Sequence, residues 1–221
     1  IKKFQIPACA WESFGKSMLY DIYHEGFRTF SDFLSYAEGA CVAPASIFIH
    51  FCGCTNKNDT YYPPCFDIFE AARPISIFSY LVHILRYFKK DYYNNLNYFS
   101  NDLLKKMGVK QITLKQAANG VITREFRWLI NRYKVLINQF KIKSRKEINK
   151  LSLYLEPRYL LSLEIIFELY IQLSERIDIE SRQFSFEKIQ PSPYEIKDRI
   201  INTIGVYKAK QKNTLKKVKV A

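Results

Sequence analysis

The segment Leu81–Asp91 carries an imidazole, a guanidinium, a phenol and a carboxylate at helical spacing. On a helix, His83, Tyr87 and Asp91 lie one turn apart along one wall, with Arg86 beside them. An acid, a base and a cation would therefore share that wall. A carboxylate on a helix that lines an aromatic cavity can hold a divalent cation, and the cation can hold a diphosphate, because Mg²⁺ requires oxygen ligands.

Each of these side chains also has an ordinary structural interpretation. Asp91 can pair on the surface with a neighbouring lysine such as Lys90. His83 can be a core histidine held by one hydrogen bond, and Arg86 can be a surface cation. The usual pair of acids one turn apart is also broken, because Tyr87 stands four residues before Asp91. These residues alone leave both interpretations open.

Asp21 and Tyr36 are two further polar positions, in stretches otherwise apolar enough to form packed helices. Asp21 comes before Gly26–Phe30, and Tyr36 comes before Val42–Ser46. Asp21 and His24, one turn apart, could also be no more than a surface pair. The order of these polar positions along the chain, more than any one residue, carries the functional hypothesis.

Aromatic side chains occur throughout the same segments, and their ordinary role is core packing. In a dry cavity their ring faces can also steady a carbocation through the cation–π effect, and such a cavity would accept an isoprenyl tail. The two roles do not exclude each other. The rings concerned are Tyr20, Tyr36, Phe48, Phe78, Tyr80, Phe88 and Tyr170.

Apolar residues recur every three to four positions along most of the chain, which indicates helices. We expect helices over Pro7–His24, from Thr29 or Ser31 to about Phe51, from Phe66 to about Tyr92 with an interruption or entry at Pro74, and from Pro157 to about Ile177.

Two capping-box spacings and one cluster of turn formers add boundaries to this pattern. Thr113–Gln116 predicts the start of a long amphipathic helix, and Ser144–Glu147 repeats the signature. The stretch Gly53–Pro64 predicts a loop between two helices.

The composition predicts one helical domain. The 221 residues are 48% hydrophobic and 16% aromatic, and only 7 glycines and 8 prolines leave little room for the turns of a β-sandwich. No Gly-x-x-x-x-Gly-Lys loop, Gly-x-Gly-x-x-Gly turn, Gly-x-Ser-x-Gly elbow or His-Glu-x-x-His pair is present, so a hydrolase is not favoured.

The net charge of +13 indicates an anionic partner, which could be nucleic acid, phospholipid or a diphosphate. Much of the excess lies in the run Lys208–Lys219, which can be a solvated tail or can touch anionic headgroups. Nucleic-acid binding depends only on charge and aromatic content, and no nucleic acid is expected.

The sequence features that bear on location predict a cytoplasmic protein, with peripheral contact at the inner face of the membrane. No uninterrupted apolar run of about 18 residues and no secretory signal is visible. The absence of an initiator Met suggests an incomplete N-terminus. The five cysteines are an odd number without disulfide spacing. A zinc site at His50, Cys52, Cys54 and Cys65 is an alternative to buried reduced cysteines.

Taken in order, these segments resemble the squalene/phytoene synthase family, all-helical enzymes that join two prenyl diphosphates head to head. The likeness runs over about Trp11–Ile177. Asp21–Ala43 resembles the family's middle segment, and Leu81–Asp91 is similar to its second aspartate-rich motif. Arg158–Ile177 is similar to the C-terminal helix that closes the pocket.

The resemblance implies an all-α, single-domain, isoprenoid-synthase-like bundle around a central cavity. It would cover residues 1–206, without the family's N-terminal part, and residues 207–221 would form a basic tail. The implied activity is condensation of two farnesyl or geranylgeranyl diphosphates with Mg²⁺ and loss of diphosphate. The alternative is a non-catalytic lipid- or prenyl-binding helical module at the membrane surface.

The resemblance also implies roles for particular residues. Asp91 would be the Mg²⁺ ligand, Arg86 a phosphate or carboxylate partner, and Asp21 a helper at the same ionic cluster. Tyr36 and Tyr170 would line the cavity near the leaving group or the cation. These implied catalytic residues come from separate segments of the chain, so the fold has to bring them together.

This chain departs from the family pattern at three points. His83 stands where the family has Asn, and Tyr87 stands where it has the first Asp, although both would still contact substrate. The first aspartate-rich motif, expected upstream of Asp21, is absent, and Asp-x-x-x-Asp occurs nowhere in the chain. Membership of the family and catalytic competence are therefore separate questions.

Overall fold

The computed structural model of the chain describes residues 2–24, 26–180 and 186–220, with the side chains of 3–24, 26–180 and 187–212. This part of the chain is mainly helical, with one small hairpin, which confirms the predicted all-α fold. The helices are α1 (Ala8–Ile22), α2 (Phe30–Ala37), α3 (Ala43–Gly53), α4 (Ile68–Tyr93), α5 (Asn101–Lys106), α6 (Gln111–Ala118), α7 (Arg124–Leu151), α8 (Pro157–Glu175), α9 (Phe186–Ile189) and α10 (Pro193–Val220).

Helix α4 is the centre of the bundle and packs against α3, α7 and α8. Asp67 caps its start by accepting from the backbone N–H groups of Phe69 and Glu70 at 2.8 and 3.0 Å. Its side chains are buried on several faces, as in a core helix. The helix passes through Pro74 without ending, so the predicted span from about 66 to 92 is confirmed, and the predicted interruption or entry at Pro74 is wrong.

Among the described residues, α4 is also the one helix long and apolar enough in composition to cross a membrane. Of its most apolar 18-residue window, 61% is buried inside the protein. Its apolar character is therefore used in packing the bundle.

The predicted helix from Thr29 to about Phe51 is present but is not uniform. Thr29 caps α2 in a capping box with Asp32, with N···O distances of 2.8 and 3.1 Å. After Ala37 the helix widens into a π turn, Glu38–Val42, and continues directly as α3. An extra residue in the turn re-aims the side chains on either side of it.

The π turn lies against α1 at a contact that only glycine allows. A Cβ on Gly39 would lie 2.2 Å from Ser17 Oγ and 2.3 Å from the Ser13 carbonyl oxygen. At that contact the Ser17 hydroxyl donates to the Tyr36 carbonyl at 3.0 Å. The end of α2 is thereby fixed against α1.

Two predicted helix starts were wrong. Thr113 lies inside the short helix α6, which ends before Gly120, a residue with φ of +85°. The long amphipathic helix α7 begins at Arg124, where Thr123 caps it by accepting from the N–H of Phe126 at 3.3 Å. Ser144 starts no helix, because it lies inside α7 and donates to the Phe140 carbonyl at 2.7 Å.

The predicted loop Gly53–Pro64 contains a small hairpin. Strands β1 (Thr55–Lys57) and β2 (Thr60–Tyr62) are antiparallel, with Lys57 opposite Thr60. The two turn residues, Asn58 and Asp59, have φ of 50° and 59°, as a two-residue hairpin turn requires. The turn formers were predicted correctly, and the strands beside them were missed.

Helix α8 begins at Pro157 as predicted and ends at Glu175, two residues short of the expected Ile177. Helix α10 packs along it, and Arg199 lies 3.3 Å from both Glu168 and Glu175. The boundary between domain and tail expected at residue 206 falls inside α10, which continues to Val220.

Candidate functional site

Asp21 is the centre of a hydrogen-bonded cluster built from four separate segments. The Tyr36 hydroxyl donates to the Asp21 carboxylate and lies 2.8 Å from both of its oxygens. Tyr98 donates to the same carboxylate at 3.3 Å, and Tyr80 Oη lies 3.2 Å from Tyr36 Oη. The fold therefore brings Asp21 and Tyr36 together, as the sequence interpretation required.

The backbone after α4 returns to α1 and completes this cluster. Asn95 has φ of 58°, and His24 Nε2 lies 2.9 Å from the carbonyl oxygen and 3.0 Å from the nitrogen of Asn97. These contacts hold Tyr98 beside α1. The side chain of His24 is only 4% exposed, and its Nδ1 lies 3.9 Å from Asp21. His24 and Asp21 are thus part of an interior network and not a surface pair.

Asp91 lies in the last turn of α4, half-buried. Burial raises its pKa to about 6, repulsion from Asp21 adds to this, and Lys90 opposes it. The carboxylates of Asp91 on α4 and Asp21 on α1 therefore repel each other electrostatically. A cation placed between them would relieve the repulsion.

His83 and Tyr87 form a stack one turn apart on α4, as the spacing predicted. Their ring centroids are 4.2 Å apart, and the Arg86 guanidinium and Lys90 Nζ lie 5.3 and 5.8 Å from the Tyr87 ring. Burial lowers the pKa of His83 to about 4, helped by Arg86 and Lys90. The imidazole is therefore neutral at pH 7.

Arg86 also reaches across the bundle. Its guanidinium donates to the side-chain oxygen of Gln190, in the segment just after α9. Burial raises the pKa of Tyr170 on α8, and the positive charge of Arg86 opposes this rise. Arg86 thus links α4 to the C-terminal part of the chain.

A pocket of about 390 Å³ opens between the π turn, α3, α4 and α8. Its walls are mainly apolar, and its polar end is formed by Tyr80, His83 and Tyr170. The lining residues are Ala40, Cys41, Pro44, Ala45, Phe48, Ile49, Ile75, Ser76, Ser79, Tyr80, His83, Leu163, Ile166 and Tyr170. A concave apolar site with a few convergent polar groups is typical of ligand binding.

The residues fit a divalent cation only in part. Among the described residues, no group of three or more His, Cys, Asp and Glu side chains could hold a metal ion. Asp91 on α4 and Asp21 on α1 interact electrostatically, and carboxylate oxygens are the ligands that Mg²⁺ would take together with phosphate oxygens and water. The zinc alternative gains no support, because His50 Nε2 lies 2.6 Å from the Phe4 carbonyl oxygen.

Tyr80 and Tyr98 belong to this site, and the sequence interpretation did not assign them to it. In the sequence Tyr80 is only one of several rings, although its position three residues before His83 places it on the same wall of α4. Tyr98 had no such signal, because its place depends on the backbone return after α4.

Comparison with solved structures supports the fold. A dehydrosqualene synthase, solved in complex with a ligand, superposes with a TM-score of 0.71 and 13% sequence identity. The match covers 92% of this chain and 66% of that protein, so this chain spans less than two thirds of its length. No family model matches the sequence, and no curated protein matches it. The class that the structure defines is an all-α, isoprenoid-synthase-like bundle.

Proposed function

We propose that this chain binds an isoprenyl diphosphate of farnesyl or geranylgeranyl length and condenses two such molecules head to head. The single observation that carries the proposal is the position of the apolar pocket, whose polar end adjoins the cluster around Asp21. The fold shared with a dehydrosqualene synthase supports it.

In this proposal the hydrocarbon tail occupies the pocket between α3, α4 and α8. Arg86 and Lys90 attract the diphosphate. Their positive charge reaches the polar end of the pocket, because both lower the pKa of His83, which lines it. Asp91 is the Mg²⁺ ligand, with Asp21 as its helper across the site. The metal would neutralise charge on the departing diphosphate.

The side chains between the hydrocarbon tail and the diphosphate would separate the positive charge of the developing carbocation from the negative charge of the diphosphate. His83 is neutral and stacked on Tyr87, so it adds no positive charge beside a developing carbocation. The ring faces of Tyr80 and Tyr170 line the same end of the pocket and would face that cation. Apolar walls would keep water from capturing it.

The direct test is turnover of radiolabelled farnesyl and geranylgeranyl diphosphate with Mg²⁺. We expect a hydrocarbon or cyclopropyl product and a loss of at least about a hundredfold in Asp91→Asn. Asp198→Asn, on the exposed face of α10, is the matched control and should retain activity. Absence of product from the intact chain under all these conditions would reject the transferase proposal.

The second candidate is a non-catalytic lipid- or prenyl-binding module at the cytoplasmic membrane surface. Tyr87 in place of an acid favours it, because one carboxylate fewer weakens a metal–diphosphate site. The basic end of α10 would supply peripheral contact with anionic headgroups. Tight binding of prenyl ligand without turnover, and liposome sedimentation that weakens as salt rises, would select this candidate.

A further inference from the structure

Helix α7 places three large apolar side chains on its solvent side. Trp128, Val135 and Ile142 are 45%, 47% and 57% exposed, whereas the opposite side of the same helix is buried at residues such as Phe126 and Tyr133. Single exposed apolar residues are normal on a protein surface. These three recur every seven residues, which is nearly two turns, so they form one line about 21 Å long.

The same side of α7 is strongly basic. Among its 28 residues the helix has nine Lys and Arg and two Glu, which accounts for more than half of the chain's net charge of +13. All residues of α7 are described, and neither Glu is exposed. Its exposed charged residues are all cations, namely Arg124, Lys143, Lys146 and Lys150. The outer face of α7 is the surface formed by Arg124, Trp128, Val135, Ile142, Lys143 and Lys146.

Other cations of α7 already have a structural role inside the bundle. Arg127 lies 3.4 Å from Glu180, and Arg145 lies 2.6 Å from Glu164 on α8. These ion pairs hold α7 to the C-terminal part of the chain. That role explains the inner cations, whereas the cations of the outer face project to solvent.

A face of this kind is complementary to the surface of an anionic membrane. Apolar side chains in a straight line can enter the boundary between headgroups and acyl chains, while cations beside them meet the lipid phosphates. The Arg124 guanidinium lies over the Trp128 ring, 4.4 Å from its centroid. A cation is thereby held beside a tryptophan, the residue type that is enriched where a membrane meets water.

Two other kinds of partner fit the outer face of α7 less well. A coiled-coil partner needs a second apolar position three residues after each of the first, but Asn131 and Asn138 stand there. A nucleic acid would use the cations, but its phosphate backbone offers Val135 and Ile142 no apolar contact. The combination of positive charge and exposed apolar surface favours a lipid bilayer.

We propose that α7 lies along an anionic membrane surface, with its outer face against the lipid and its inner face in the core. Lys210 of α10 lines one cleft with Arg145 of α7, so the basic end of α10 begins next to this surface. The proposal rests on neither the apolar pocket nor the transferase function. It also differs from contact through the end of α10 alone, which would leave Trp128 in water.

The two tryptophans of the chain provide a direct test, because Trp11 on α1 and Trp128 on α7 are both 45% exposed. Trp11→Phe and Trp128→Phe are therefore a matched pair of variants with one tryptophan each. With vesicles of phosphatidylserine and phosphatidylcholine whose acyl chains are brominated, we expect quenching of Trp128 and a shift of its emission to shorter wavelength. Trp11 should show neither. Quenching of Trp11 to the same or a greater degree, or of neither tryptophan, would overturn the proposal.

Charge variants separate the outer face of α7 from net charge. Lys143→Gln combined with Lys146→Gln should weaken binding to these vesicles about twentyfold, because one basic residue near an anionic surface contributes about fivefold. Lys16→Gln combined with Lys57→Gln removes the same charge from exposed positions on α1 and β1, and should change binding less than about twofold. Equal losses in the two double variants would show that net charge alone acts, and would refute the assignment to α7.

Ile142→Ser distinguishes a bilayer from a nucleic acid. The change should weaken vesicle binding about fivefold, because it removes apolar surface that the lipid would bury. Unchanged vesicle binding would contradict insertion of the apolar line. A short DNA duplex is the competing ligand, and binding of the duplex through Lys143 and Lys146 without any binding of vesicles would overturn the proposal in favour of a nucleic-acid surface.

Discussion

The hydroxyl of Ser17 on α1 donates to the carbonyl oxygen of Tyr36 at 3.0 Å, at the point where α2 widens into the π turn. Tyr36 is therefore held to α1 twice, through its backbone to Ser17 and through its side chain to Asp21. The helix irregularity and the polar cluster are parts of one contact.

The close approach of α1 to the π turn makes Gly39 a sharp test of this contact. Gly39→Ala would place a Cβ 2.3 Å from the Ser13 carbonyl oxygen, and backbone cannot yield cheaply. We expect a loss of about 2–4 kcal/mol in the free energy of unfolding, measured by urea denaturation. Gly205→Ala is the matched control, since a Cβ there meets no atom within 4 Å in helix α10. It should stabilise by about 0.5–1 kcal/mol. Equal effects of the two changes would refute the tight contact.

The hydrogen bond between Tyr36 and Asp21 should show as coupling in a double-mutant cycle. A hydrogen bond to a charged group is worth about 1.5–3 kcal/mol, so Tyr36→Phe and Asp21→Ala should be non-additive by about that amount. Tyr207→Phe provides the control, because its exposed hydroxyl donates to a backbone carbonyl outside the cluster. It should cost less than about 1 kcal/mol. Simple additivity of the first pair would mean that the bond contributes nothing.

Asp91 should make the stability of the protein depend on pH in buffer free of divalent cations. Burial and repulsion from Asp21 raise its pKa to about 6, against about 3.9 in an unfolded chain. Between these values the folded state binds more protons than the unfolded state, so stability falls as pH rises through that window. Asp91→Asn removes the loss and should be about 1 kcal/mol more stable than the native chain at pH 7, with no advantage at pH 4. If the native chain and Asp91→Asn showed the same change in stability from pH 4 to pH 7, the raised pKa of Asp91 would be wrong.

Under the proposed function Tyr87 stands in the place of a second acid, so Tyr87→Asp should raise affinity for Mg²⁺-diphosphate by about tenfold. The same change removes the stack with His83, so a loss of about 0.5–1.5 kcal/mol in stability is expected. Tyr87→Asn also removes the ring but adds no charge. Affinity measured by calorimetry should rise in the Asp variant alone, and a rise in both would exclude the carboxylate as its cause.

The residues that share one face of α4 were predictable from sequence, because the helical repeat alone places them there. His83, Tyr87 and Asp91 needed only the pitch of a helix, and Thr29 supplied a recognisable cap for α2, whereas the Asp67 cap of α4 was missed. The predicted helix start at Thr113 failed because capping-box spacing does not reveal that a glycine will end the helix a turn later.

The remaining site residues depend on tertiary contacts that leave no periodic trace. Tyr98 reaches Asp21 only because the chain turns back after α4 through Asn95. The π turn depends on a glycine whose need becomes visible only when α1 lies against it. The 3.2 Å contact between the Tyr36 and Tyr80 hydroxyls joins residues 44 positions apart in the sequence.

Helix α4 carries both Tyr80, at the polar end of the pocket, and Arg86, so the distance between the phenol and the cation along the axis is set by the rise of one helix. Six residues correspond to about 9 Å along the axis. Under the proposed function, substitutions at Phe48 of α3 or Ile166 of α8 would change the length of hydrocarbon that the pocket accepts and leave that spacing unchanged. Chain length and diphosphate recognition would then be controlled by different helices.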